Sequence, residues 1–212
     1  MSNRTTERNE PIRLLGLGGS LREGSWNRAL LGEAQGMAAS VGAELDLSHL
    51  PTLGSLPLYN QDVEAHDGIP PGVAELKERL AAADGLFIAT PEYNWGIPGF
   101  LKNAIDWASR PPGDIPRVFG DLPVVTVGAG GFSGTRNAQT AWIAVFRYLK
   151  MRPWFGHSLF VDRSWDRFDD QSLLTDEAIR DQLRAVITGF VAYCSRLPRA
   201  RVGITSHLRT RR

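Results

Sequence analysis

Apolar positions along the chain fall into two alternating patterns: short unbroken runs, and longer stretches with helical spacing. Residues 12–18 form an apolar run broken only by Arg13 and ending in glycines, which suits a strand buried on both faces. Similar runs at 43–47, 85–90 and 122–127 predict three more strands, and 154–161 predicts a fifth. Between them the spacing turns helical. Leu30, Leu31, Ala34 and Ala38 share one face of a helix over 25–39, and further helices are predicted over 73–81, 98–108, 135–150 and 175–197. The proline- and glycine-rich passage 50–72 reads as a long functional loop. No internal repeat or low-complexity block interrupts this order.

Strands alternating with helices predict an α/β fold, a doubly wound five-stranded parallel sheet with helices on both faces. Ligands of such sheets bind beyond the carboxyl ends of the strands, at the point where the strand order reverses. The loops after the first, third and fourth strands are therefore the candidate site.

Composition narrows the class. The chain has 212 residues, 42% of them hydrophobic and 22% charged, the values of an ordinary globular domain. One domain is expected over 12–197, between a flexible N-terminus at 1–11 and a basic, disordered tail at 198–212. No apolar run approaches the roughly 20 residues of a membrane helix, and residues 1–10 lack a signal-peptide core. The lone Cys194 excludes a disulfide framework, and these features together point to the cytoplasm. Six of the 24 basic residues lie between Arg196 and Arg212, where there is no acid; the preceding residues hold 18 basic against 23 acidic side chains. The body is thus no basic nucleic-acid binder, and nucleic acid is not an expected partner. No Gly-Lys pair exists, which excludes a Walker-type phosphate loop.

The first loop runs Gly16-Leu17-Gly18-Gly19-Ser20-Leu21-Arg22-Glu23-Gly24-Ser25-Trp26-Asn27. A dinucleotide fingerprint fails because Leu21 stands where its third glycine is needed. Hydroxyls, an amide and a guanidinium ahead of a helix N-terminus suit a monophosphate. An ordinary helix start, with Ser25 as N-cap and Arg22 solvated, explains the same residues. After the third strand, Pro91-Glu92-Tyr93-Asn94-Trp95-Gly96-Ile97-Pro98 is stiff and aromatic, fit to border a flat heterocycle. Tyr93 and Trp95 equally suit core or interface anchors. His49, His66, His157 and His207 lack metal-ligand spacing. Thr135 stands where a nucleophile elbow needs its second glycine.

Together, G-S-L-R-x-x-S-x-N and P-E-Y-N-x-x-I-P-G-x-L-K-N-A-I-D-W-x-S-R-P resemble the NADPH-dependent FMN reductase family, which is flavodoxin-like in fold. Leu58-Tyr59-Asn60-Gln61-Asp62 is similar to the family's loop before its second helix. The resemblance implies that Ser20, Arg22, Ser25, Trp26 and Asn27 hold the FMN phosphate. It also implies that Pro91, Glu92, Tyr93, Asn94 and Trp95, with Gly130 and Gly131 of the third loop, border the isoalloxazine ring. Gly96 and Gly130 stand where many relatives carry serine. The implied activity passes a hydride from NADPH, or NADH, to FMN and two electrons to a small acceptor such as a quinone, azo dye, metal ion or free flavin. No catalytic side chain is nominated, because the flavin carries the chemistry. Glu92 reads as a loop-setting carboxylate, not a base. A flavodoxin-type electron carrier and a flavin-free scaffold protein are the alternatives. A homodimer or tetramer is expected, with Phe100, Trp107, Trp142 and Phe146 as interface aromatics.

Overall fold

The computed structural model describes residues 10–47, 53–197 and 199. Six strands are seen among the described residues: β1 (Ile12–Gly18), β2 (Ala43–Asp46), β3 (Gly85–Ala89), β4 (Pro123–Ala129), β5 (Arg152–Pro153) and β6 (Leu159–Val161). They pair in parallel in the order β2-β1-β3-β4-β5, with β6 also on β4. Seven α-helices are seen among the described residues: α1 (Trp26–Ala38), α2 (Gln61–Asp67), α3 (Pro71–Ala82), α4 (Gly99–Ala108), α5 (Ile115–Val118), α6 (Arg136–Tyr148) and α7 (Glu177–Arg196).

Period-two alternation sends successive strand residues to opposite faces. Leu14, Phe87, Val125 and Val127 join α1 and α7 through Leu30, Leu31, Leu183 and Phe190. Leu15, Leu86, Ile88 and Val124 join α3, α4 and α6 through Leu76, Leu101, Trp142 and Phe146. Both faces are covered, which is why these strands read as unbroken apolar runs. Among the described residues no helix is long and apolar enough to cross a membrane.

Four expectations are corrected. The fifth strand is not continuous. Arg152 N–H and Trp154 N–H bond along β4 to Leu122 and Val124, the chain then loops out, and pairing resumes at Leu159 opposite Val127. Within the excursion the indole of Trp154 fills the space beside Gly156 and Gly189, where an added Cβ would lie 2.4 Å and 2.7 Å from its ring. Secondly, the passage 50–72 contains α2, capped by the Asn60 side chain on Asp62 N–H, and the start of α3. Thirdly, Trp142 and Phe146 are buried beneath their own sheet and Trp107 is buried against Tyr59, while Phe100 is half-buried against the core of Trp142 and Phe146. The three buried rings have no surface to offer a second subunit; Phe100 keeps part of its own.

The fourth concerns the tail. Arg199, expected to lie outside the fold, is 8% exposed. Its guanidinium donates to the carbonyls of Leu80 (2.9 Å), Gly120 (3.0 Å) and Arg117 (2.5 Å). Residues 200–212, which hold the remainder of that expectation, lie outside the described residues, as does the N-terminal arm up to residue 9.

Candidate cofactor site

Three loops meet at the carboxyl ends of β1, β3 and β4, and each pair is tied by one specific contact. Loop 19–25 lies against loop 90–98 because Gly19 has no side chain: a Cβ there would sit 2.6 Å from Pro91 and 3.1 Å from Pro98. The start of α1 is fixed to the end of β4 by Asn27. Its amide accepts from Ala129 N–H at 3.0 Å and donates to Ala129 C=O at 2.8 Å. Loop 90–98 is fixed to loop 130–135 by Glu92, whose carboxylate accepts from Ser133 Oγ at 2.8 Å.

Glu92 does more than bridge. Thr135, ahead of α6, takes a left-handed conformation and gives that helix no side-chain cap. Glu92 supplies it from 46 residues away, accepting from the N–H groups of Asn137 (2.8 Å) and Ala138 (3.0 Å) and from the Asn137 amide (3.1 Å). Burial pushes the Glu92 carboxyl up, but the bonds from Ala138, Ser133 and Asn137 together outweigh it and leave its pKa below the ordinary value. A carboxylate so fully engaged is a brace and no proton acceptor.

In the first loop, Ser25 caps α1 by accepting from Arg28 N–H at 3.3 Å, leaving its own O–H free to donate. The first-turn N–H groups of Trp26 and Asn27 have no intrahelical acceptor. Ser20 is buried and accepts from Arg22 N–H at 3.4 Å. The Arg22 guanidinium lies 5.2 Å from the centre of the half-buried Trp26 ring, and among the described residues no carboxylate pairs with it. Two hydroxyls, helix-end N–H groups and an uncompensated guanidinium form the donor set that a phosphate dianion requires. The FMN phosphate fits it. One residue changes role: the side chain of Asn27, expected on the phosphate, is buried and bound to Ala129, so it positions the loop.

The second loop is a tight hairpin. Tyr93 and Gly96 exchange backbone hydrogen bonds of 2.9 and 3.3 Å around Asn94 (φ 50) and Trp95 (φ 62), both left-handed. Asparagine tolerates that conformation; tryptophan resists it at a cost of about 1–2 kcal/mol. The strained tip presents Trp95 at 77% exposure and Tyr93 at 52%. Gly96 has room for a side chain, its nearest neighbour being Tyr93 O at 3.4 Å. At Gly130 a Cβ would press on the Thr135 methyl at 3.1 Å. Gly131 is exposed, so the third loop offers its backbone rather than side chains at these two positions.

A fourth segment borders the site without any advance signal. After β6 the chain bonds to loop three through Arg163 N–H on Gly131 O and Ser164 N–H on Gly130 O. It then reaches loop one, where Ser172 Oγ donates to Gly24 O at 3.0 Å and Phe168 stacks on Trp26. The long motif after β3 has its own structural task. Asn103 accepts from Tyr59 N–H and, with Trp107, donates to Pro57 O, clamping 57–59 onto α4.

A parallel sheet of order 2-1-3-4-5 with its site at the β1/β3 switch point defines a flavodoxin-like protein. Residues 12–166 match the NADPH-dependent FMN reductase family, and the chain belongs to it. An NAD(P)H-dependent FMN reductase of Pseudomonas aeruginosa is 38% identical over 189 residues, covering 89% of this chain and 98% of that one. An NAD(P)H:quinone oxidoreductase of Solanum tuberosum is 37% identical over 190 residues, covering 88% and 94%. Among solved structures, the flavoenzyme NAD(P)H:(acceptor) oxidoreductase FerB of Paracoccus denitrificans superposes with a TM-score of 0.77 at 28% identity, covering 89% of this chain and all of that one.

Proposed function

We infer that the protein is an NAD(P)H-dependent FMN reductase of the quinone-reductase type. The observation that carries this reading is the donor set at the start of α1, with Arg22 free of any carboxylate among the described residues. FMN, when bound, supplies two-electron transfer between NAD(P)H and a small acceptor. The chain's own residues bind and orient it: Ser20, Arg22, Ser25 and the N–H groups of Trp26 and Asn27 hold the phosphate. The backbone around Pro91, Tyr93, Asn94, Gly130 and Gly131 borders the ring, with Tyr93 and Trp95 at its exposed rim. Glu92 and the Asn27 side chain keep those loops in register. A flavodoxin-type carrier would share the fold, but this reading commits to turnover with NAD(P)H. Titrating the apoprotein with FMN and riboflavin tests it: tight FMN binding and weak riboflavin binding support the phosphate site, and equal affinity overturns it.

The reading includes a cytoplasmic homodimer or dimer of dimers. Its support is the outer face of α6, where Ala141, Ala144 and Tyr148 are exposed at helical spacing, Tyr148 by 73%. A groove of about 330 Å³ runs beside them, lined by Lys102, Asp106, Val145 and Tyr148. Light scattering distinguishes the outcomes. A single species at 23.3 kDa with full flavin and full activity contradicts the dimer.

A further inference from the structure

Two large aromatic side chains stand exposed beside the third loop without serving the core. Phe132 is 82% exposed and Trp165 48% exposed. They meet edge to face, ring centroids 5.4 Å apart at 79°. Their backbones are held from both sides. Gly131 O accepts from Arg163 N–H at 3.0 Å and from Gly134 N–H at 3.2 Å, and Gly130 O accepts from Ser164 N–H at 3.0 Å. Ser133, next to Phe132, is bound to Glu92, and Arg163 is paired with Asp166 at 2.7 Å on the other side. The Trp165 ring reaches to 4.0 Å from where a Gly131 side chain would begin, so it lies over the loop that borders the flavin site.

Exposing two such rings is unfavourable in water, and fixing them adds conformational cost. A pre-organised aromatic pair recovers that cost when a flat apolar ring packs against it. A compact hydrated ion gains nothing from the same surface. We propose that Phe132 and Trp165 form an acceptor-selecting wall, which favours planar quinone rings over small inorganic oxidants. The proposal rests on the reductase reading and adds specificity to it.

The test uses the holoenzyme. Binding of 1,4-naphthoquinone to the oxidised protein, without reductant, is measured by calorimetry for wild type, Phe132→Ala, Trp165→Ala and Trp165→Phe. FMN content is measured on each. The alanine variants each weaken naphthoquinone binding by about tenfold, the scale of a lost aromatic contact, and Trp165→Phe restores most of it. In steady state, the ratio of kcat/KM for naphthoquinone to that for ferricyanide falls by a similar factor. Unchanged naphthoquinone affinity, an equal loss for both acceptors, or a rise confined to the KM for NADPH overturns the wall. A change in oligomeric state in the variants also overturns it, by assigning the pair to a subunit contact. Failure of the underlying reading looks different: wild-type protein then holds no FMN, or its flavin resists NAD(P)H, and the acceptor wall falls with it.

Discussion

Glu92 accepts a hydrogen bond from the backbone N–H of Ala138 at 3.0 Å, so a loop after β3 caps a helix that begins after β4. Two walls of the cofactor site are therefore one electrostatic unit. Glu92→Ala removes the cap and the Ser133 bond together and destabilises the protein by about 1–2 kcal/mol, with weaker flavin retention. Chemical denaturation with flavin fluorescence as a second signal checks both.

The same carboxylate gives a pH dependence of known sign. Its folded pKa is depressed, so its contribution is complete above the unfolded carboxylate value of about 4.3 and fades as pH falls through the lower folded value. Wild type therefore loses stability in this acid range faster than Glu92→Gln. Unfolding midpoints measured in denaturant between neutral and acid pH compare the two; parallel curves would remove Glu92 from the account.

Arg22 lies in the loop proposed to hold the phosphate, and among the described residues no carboxylate pairs with it. Arg22→Ala weakens FMN by roughly 1.5–3 kcal/mol, the scale of a charge-assisted hydrogen bond. Riboflavin, which has no phosphate, loses little. The difference between the two ligands, read by fluorescence quenching, isolates the phosphate contribution from any general damage to the site.

Arg199 closes the opposite end of the fold by donating to three backbone carbonyls on two segments, that of Leu80 and those of Arg117 and Gly120. Ending the chain after Leu197 removes that clip and lowers stability by roughly 2 kcal/mol or more. Ending it after Ala200 keeps the clip and the stability. Thermal unfolding of the two truncations separates Arg199 from the residues that follow it.

Cys194 is buried, and burial together with the charge of Asp84 pushes its thiol up to about 12. The native protein therefore resists thiol reagents at neutral pH, and the thiol reacts only on unfolding. Rapid labelling of folded protein would contradict the placement of α7 against β3.

The strands β1, β3 and β4 were legible in the chain because both their faces are buried, so Leu14 and Leu15 or Phe87 and Ile88 need no polar alternation. Helix α1 announced itself through Ser25 and the spacing of Leu30, Leu31 and Ala34. The interruption between β5 and β6 did not, because the packing of Trp154 beside Gly189 on a distant helix leaves no local pattern. Helix α2, at seven residues, is too short to show a period. Within the site, Ser20, Arg22 and Ser25 could be picked out as a local cluster of donors, which suits either a phosphate or an ordinary helix start. Glu92 was legible as a loop-setting carboxylate, but its partners, and the engagement of the Asn27 side chain, were not, because those partners lie 46 and 102 residues away. Phe132 and Trp165 carried no periodic signal at all, since exposed loop aromatics have none.

A chain that binds FMN for turnover with a nicotinamide donor must cycle its flavin between two oxidation states. Anaerobic mixing of the holoenzyme with NADPH, or NADH, followed by 1,4-naphthoquinone, tests it most directly through the flavin's visible absorbance. The absorbance is expected to bleach on adding the donor and to return on adding the quinone. A flavin that stays oxidised under excess NADPH and NADH alike would contradict turnover with a nicotinamide donor.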